Sequence, residues 1–196
     1  METDVQRYLE AYPARHETFE HWEIQGKLRV RLSLADELSP PSVSSSILAI
    51  VFNRDRKVLF LRASDPSNSI AHLMAGGRPE GRETPEETAM REVAEETGWR
   101  IKPIRMIGFR HFFHLEPRVP NTDRPYPDFI QPIYVALAES FDSSAIVAGD
   151  QLEAQFMDYV VAETRIEAAQ RPLLHAALDA VNAVRNEVQS NRPIDL

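Results

Sequence analysis

The chain has 196 residues, of which 43% are hydrophobic and 27% are charged, and its formal net charge is −8. This composition is typical of a globular protein, and the negative charge argues against a protein whose whole surface binds nucleic acid or anionic lipid. The absence of cysteine excludes disulfides, thiolate nucleophiles and thiolate-bound metal sites.

The first 42 residues are predicted to be an extension that precedes the main domain. Residues 5–9 are expected to form a short helix that stops at Pro13, and Lys27 to Leu34 alternate as in an exposed strand. The sequence leaves open whether this extension forms a homodimer interface or shapes a pocket. The start of the chain has no apolar signal core, and no apolar run approaches the roughly 20 residues that cross a bilayer. We therefore expect a cytoplasmic protein with no membrane partner.

The main domain is predicted to cover residues 43–190, followed by a short tail at 191–196. A β-branched run at 43–52 predicts a strand buried on both faces, and a turn leads to a returning strand at 57–61. Further strands are predicted at 102–114, 129–138 and 155–160, and helices at 85–97 and about 166–188. This order favours an α/β fold in which helices pack on the faces of a mixed sheet.

The helix at 85–97 has strong end signals in the sequence GGRPEGRETPEETAMREVAEETGW, which runs from Gly76 to Trp99. Thr84, Pro85 and Glu87 form the pattern of a capping box, with proline at the first helical position. Gly98 is expected to end the helix in the left-handed conformation. The helix is therefore placed to within one or two residues.

Three carboxylates, those of Glu92, Glu95 and Glu96, converge on about a third of this helix's circumference. Such groups repel one another unless a cation lies among them, and all-oxygen ligands suit Mg²⁺, with Mn²⁺ as a possible substitute. Arg91 can reach Glu83, Glu87 or Glu95, so we expect it to orient carboxylates. The glycine pair at 76–77 would let a backbone carbonyl approach the metal or a phosphate closely.

A glutamate-rich helix face alone is more often a solvated surface, but the complete spacing is specific. From Gly77 the pattern is G-x5-E-x7-R-E-V-x-E-E-x-G-W, which resembles the signature of the Nudix hydrolases at each fixed position. These positions are Gly77, Glu83, Arg91, Glu92, Glu95, Glu96 and Gly98. Trp99 departs from the aliphatic residue usual in the family and affects packing rather than chemistry.

The resemblance implies an α/β/α sandwich and a pyrophosphohydrolase that cleaves a nucleoside diphosphate linked to another group. It implies that Glu92, Glu95 and Glu96 bind the metal, helped by the carbonyl of Gly76. The implied partner is a small nucleotide derivative rather than a stable nucleic acid. A binding module that has lost turnover is disfavoured because each motif glutamate is present, and the isomerase type on this fold relies on a cysteine.

Other site residues are predicted outside the motif. The resemblance implies one more carboxylate from a loop just before the last strand. Asp150 and Glu153 lie in that region, and each is either a general base, an extra ligand or a surface residue. Arg78, next to the glycine pair, is a candidate phosphate contact. Phe113 and Tyr126 are candidates for stacking on a base, although most aromatic residues near them are expected in the core. We expect the loop from Glu116 to Pro127 to select the substrate, whose identity the sequence leaves open.

Overall fold

A computed structural model describes residues 3–63, 71–120, 124–147 and 152–190. In this part of the chain the helices are α1 (Asp4–Ala11), α2 (Pro85–Thr97), α3 (Tyr159–Arg165) and α4 (Arg171–Ser190). The strands are β1 (His16–Trp22), β2 (Gly26–Leu34), β3 (Ile47–Phe52), β4 (Val58–Ala63), β5 (Ala71–His72), β6 (Ala75–Gly77), β7 (Trp99–His114), β8 (Asp128–Phe141) and β9 (Leu152–Met157).

The described strands form one mixed sheet in the order β1-β2-β7-β8-β3-β4-β5. The pairing of β3 with β8 is parallel, and the other pairings of named strands are antiparallel. Two strands branch from this path, since β6 pairs with β3 and β9 pairs with β4. The sheet therefore brings β6, the strand that contains the glycine pair, beside its central strands.

Helices cover both faces of the sheet. Successive side chains of a strand point to opposite faces, and in β3 Ala49 packs in one core cluster while Ile50 packs in the other. Ala89 and Val93 of α2 belong to the first cluster, and Leu173 and other residues of α4 belong to the second. The predicted α/β/α sandwich with a mixed sheet is confirmed.

The first 42 residues contribute to the same sheet and core. Leu28 to Leu34 of β2 pair with Gly108 to His114 of β7, and α1 places the ring of Tyr8 with its centroid 5.0 Å from that of Phe109. The predicted short helix and the strand at 27–34 are thus both present. The division into an extension, a main domain and a tail stays a prediction.

Several element predictions differ from the structure, and the strand predicted at 43–52 begins only at Ile47. β1 was not expected, because its sequence HETFEHW lacks apolar alternation. The last strand ends at Met157, and residues 159–165 form α3 instead of continuing it. The long helix begins at Arg171, after a 3-10 turn, rather than near residue 166. In the described residues, no helix combines the length and apolar character that a membrane span requires.

Candidate active site

The ends of α2 are fixed as the sequence predicts. The Thr84 hydroxyl accepts a hydrogen bond from the Glu87 amide at 3.2 Å, and the Thr84 amide donates to the Glu87 carboxylate at 2.8 Å. At the other end Gly98 has a φ of 75° and its amide donates to the Ala94 carbonyl. These caps satisfy backbone groups that the helix leaves free, and so they fix which residues of α2 face β6.

The glycine pair of β6 lies directly against two motif glutamates. The Gly76 amide donates a 3.1 Å hydrogen bond to the Glu96 carboxylate. A Cβ at Gly76, where φ is 147°, would overlap the Ile47 carbonyl, and a Cβ at Gly77 would overlap the Glu92 carboxylate. The glycine pair thus lets the backbone lie close to Glu92 and Glu96. The approach of a backbone carbonyl to a metal or phosphate stays a prediction.

Arg91 connects the glutamates on the exposed side of the site. Its Nε donates to Glu83 at 2.8 Å, and its NH1 group donates to Glu95 at 2.9 Å and to Glu92 at 3.1 Å. The remaining NH2 group donates to the Arg78 carbonyl at 2.7 Å and also to Glu83. The predicted contacts of Arg91 with Glu83 and Glu95 are present, while Glu87 serves the helix cap instead. A role of Arg91 in catalysis stays a prediction.

Burial and charge act differently on two of these carboxyl groups. The Arg91 guanidinium, with the Glu80 amide and the Thr88 hydroxyl, lowers the pKa of Glu83 to about 2. Burial raises the pKa of Glu92, although the nearby Arg91 acts in the opposite direction. Glu92 is thus an acid whose charged form is poorly solvated, and a cation beside it would favour that form.

The donor set fits a hard divalent cation. Glu92, Glu95 and Glu96 provide carboxylate oxygens on one helix, and the absent side chains at the glycine pair leave room for backbone oxygens. As they stand, no three Asp, Glu or His side chains in the described ranges are arranged to hold a metal ion. Glu92 and Glu95 are instead bound to Arg91. Metal binding by these glutamates and by the Gly76 carbonyl stays a prediction.

The two carboxylates predicted near the last strand have different outcomes. Asp150 lies outside the described residues, and its predicted role stays a prediction. Glu153 of β9 is exposed and forms a 2.6 Å ion pair with Arg62 of β4. It shares its face of the sheet with Met157 and Phe60, which pack on the α4 side. The structure therefore does not bring Glu153 to the α2 glutamates, and its catalytic role stays a prediction.

The predicted substrate contacts are also dispersed. The exposed Arg78 follows the glycine pair, and its carbonyl binds Arg91. Phe113 lies near the end of β7 under the guanidinium of Arg29 at 4.9 Å, and the half-exposed Tyr126 packs against His114. None of these described contacts involves the α2 glutamates, so substrate binding by Phe113 and Tyr126 stays a prediction.

Sequence reasoning missed two side chains that support the site. The fully buried Thr88 places its hydroxyl 3.1 Å from the Glu83 carboxylate, and the Tyr134 hydroxyl donates to Glu86 at 3.1 Å. Thr88 lies one turn from Thr84 and five residues from Glu83, a spacing that could have indicated the first contact. Tyr134 lies in β8, far from α2 in sequence, and no local pattern predicts the second.

Comparisons with known proteins address the fold and the family of the chain. No curated protein matches the chain significantly. A pyrophosphohydrolase of Bacillus subtilis, BsRppH, has a similar structure, with a TM-score of 0.53 and 19% identity over 86% of this chain and 97% of its own. A NUDIX hydrolase from Nitrosomonas europaea gives a TM-score of 0.51 and 17% identity over 72% of this chain and 89% of its own. These two likenesses support the fold.

The family itself is shown by a sequence model. The model of the NUDIX domain matches residues 44–177, which include the glycine pair, α2 and the strands around them. The chain therefore belongs to the Nudix hydrolase family.

Proposed function

We propose that this enzyme hydrolyses a diphosphate linkage in a small nucleoside diphosphate derivative, in the cytoplasm, and that it requires Mg²⁺ or Mn²⁺. One observation carries the proposal: Glu92 and Glu96 face the glycine pair of β6, where a side chain at Gly77 would overlap a carboxylate. A backbone without side chains next to acidic groups leaves space in which a cation and a phosphate could bind.

The residues that would hold the cation are Glu92, Glu95, Glu96 and the carbonyl of Gly76. When bound, the cation supplies electrostatic stabilisation of the charge that develops on the phosphoryl oxygens. Protein groups keep the carboxylates in place, because the Gly76 amide holds Glu96 and Arg91 holds Glu92 and Glu95. Glu83 in turn holds Arg91 through Nε. Of the two predicted bases, Asp150 would take the proton of the attacking water, because Glu153 is paired with Arg62 on the face of the sheet that α4 covers.

The test is a panel of nucleoside diphosphate derivatives incubated with the purified enzyme, with Mg²⁺ or with excess chelator, and identification of the products. We expect cleavage between two phosphorus atoms that chelator abolishes. A Glu23→Gln variant, altered at an exposed residue between β1 and β2, is the matched control. Undiminished turnover in chelator contradicts the metal assignment, and cleavage of another kind of bond contradicts the reaction.

A further inference from the structure

A cavity of about 370 Å³ lies beside α2. It adjoins a different side of the helix from Ala89 and Val93, which pack in the core. Its volume falls within the range of roughly 300–1,000 Å³ that small-molecule sites occupy. The apolar part of its lining comes from Met90, Ala94, Ile101 and Ala145. Met90, whose side chain is 45% exposed, offers apolar surface to the cavity.

The cavity adjoins the proposed catalytic residues. Arg91 and Glu95 line it, and the same two side chains form the 2.9 Å ion pair of the α2 network. A ligand in the cavity therefore lies next to Glu95, one of the three carboxylates that would hold the cation. The cavity is placed to receive one end of a substrate whose phosphates are bound on the Glu92 and Glu96 side of the helix.

The charges in the cavity disfavour a phosphate there. Arg91 already donates to three glutamates, and Arg100 forms a 2.7 Å ion pair with Asp142. Both cations of the lining are thus neutralised by carboxylates. The carboxylate of Glu139, which also lines the cavity, makes no hydrogen bond or ion pair with other described side chains. The polar group left available is an acceptor, which suits an uncharged ligand that carries an N–H donor.

Glu139 reaches the cavity through an irregularity of the sheet. In the β7–β8 pair, Arg100 lies opposite Ser140 and Ile101 lies opposite Ala138, so that Glu139 is an extra residue with no partner in register. Such β-bulges turn a side chain away from the regular alternation and occur frequently beside active sites. The bulge is an observation independent of the cavity, and both indicate the same ligand position.

We propose that this cavity binds the base of a nucleoside, with Met90, Ala94 and Ile101 against the ring and an exocyclic amino group donating to Glu139. The Met90 thioether suits contact with an aromatic ring. The inference rests on the proposed function, since it assigns the non-phosphate end of that substrate. It goes further in naming bases with an amino group as the preferred class.

The experiment measures binding of two nucleosides to the full-length enzyme by calorimetry in Mg²⁺. Adenosine carries the amino group, and purine riboside lacks it. We expect the parent enzyme to bind adenosine about tenfold more tightly, because hydrogen bonds to charged acceptors are among the stronger ones. Glu139→Gln should reduce this ratio towards one, and Ala94→Leu should weaken both nucleosides by filling the cavity. Glu23→Gln and Ala183→Leu, at exposed positions elsewhere, are the matched controls.

The proposal is overturned if adenosine does not bind at millimolar concentration, or if Glu139→Gln and Ala94→Leu bind both nucleosides as the parent does. Glu139 is exposed, so its variant keeps the test valid even if Ala94→Leu does not fold. The hydrolysis panel is scored separately. A panel without phosphate-bond cleavage contradicts the proposed function but leaves the nucleoside ratio intact, so the two failures are distinguishable.

Discussion

At the scale of single residues, the α2 glutamates pose an electrostatic problem that the protein solves only in part. Arg91 is a single cation that donates to Glu83, Glu92 and Glu95, and Glu96 accepts a hydrogen bond from the Gly76 amide. Carboxylates in such proximity repel one another by about 1 kcal/mol per pair at a partly exposed site. The arrangement therefore carries a cost that a bound cation would remove.

The Glu96→Gln variant separates this electrostatic cost from packing. Glutamine keeps the size of the side chain and can still accept the Gly76 hydrogen bond, so the metal-free variant should be as stable as the parent or slightly more stable. In Mg²⁺ the parent should gain more stability, by about 2.7 kcal/mol at one hundred times Kd, and the variant less. Activity should fall by about two orders of magnitude or more.

Thermal melts with and without Mg²⁺, together with a rate assay, check these expectations. A large loss of stability in the metal-free variant would show that Glu96 is a structural partner rather than a ligand. Activity equal to that of the parent would place the metal site elsewhere.

Glu83 predicts a pH dependence of stability. Its pKa is about 2 in the folded protein, against an ordinary value of 4.5, because Arg91 and the Glu80 amide stabilise its charged form. A lowered pKa adds stability that is complete above pH 4.5 and is lost as the pH falls from there through about 2. The stability advantage of the parent over Glu83→Gln should therefore shrink as the pH falls below 4.5.

Urea denaturation of both proteins at a series of pH values between neutrality and acid measures this advantage. Glu23→Gln, which removes an exposed carboxylate outside the network, serves as the control. A gap between parent and Glu83→Gln that stays constant throughout the acid range would be inconsistent with the ion pair to Arg91.

At the scale of elements, α2 could be predicted almost completely from the sequence. Its capping box, its first-position proline and its C-terminal glycine all act within a few residues of the helix. β1 could not be predicted, since pairing with β2 rather than its own pattern holds it in place. The bulge at Glu139 depends on the register between β7 and β8, which no local signal sets.

For the site as well, contacts within one element could be predicted from the sequence, whereas contacts between elements could not. Arg91 could be placed beside Glu95 because the two residues are one helical turn apart. The contact between β6 and α2 depends on the antiparallel pairing of Gly76 and Gly77 with Leu48 and Ile47. The sequence therefore predicts the contacts made within α2, while the sheet determines which backbone group of β6 lies against which carboxylate.

A methyl group at Gly77 tests this contact between elements. The added Cβ of Gly77→Ala would overlap the Glu92 carboxylate and displace it. The carboxylate is the end of a flexible side chain and can move aside at little cost in stability, whereas a displacement of about 1 Å at a reacting group can reduce turnover by roughly 100-fold. We expect a tenfold or larger loss of activity in protein that remains folded at low temperature.

Gly81→Ala is the matched control, because a Cβ there meets nothing within 4 Å although its φ of 59° makes alanine strained. It should lose about 1–2 kcal/mol of stability without a comparable loss of activity. Rates and melts of the two variants decide the question. Equal activity of Gly77→Ala and the parent would show that the close approach to Glu92 has no catalytic importance.

At the scale of the whole molecule, the sheet joins segments that the sequence presents as separate. β2 and α1, from the first 42 residues, pack against β7, whose first residues follow α2 directly. Helix α2 and the first 42 residues are thus both connected to β7. We infer that the enzyme does not tolerate loss of this segment as it would tolerate loss of a linker.

Tyr8 provides the sharpest test of this dependence. Its side chain is 9% exposed, its ring packs on Phe109, and its hydroxyl donates to the Glu37 carbonyl at 2.7 Å. Tyr8→Ala should therefore cost about 3–5 kcal/mol, and Tyr8→Phe, which removes only the hydrogen bond, about 1 kcal/mol. Tyr12→Phe, which loses an exposed 3.2 Å bond to Asp36, should change stability by less than about 0.5 kcal/mol. Urea denaturation of the three variants gives this order if α1 belongs to the cooperative core. Parent-like stability of Tyr8→Ala would instead show that α1 unfolds independently of the sheet.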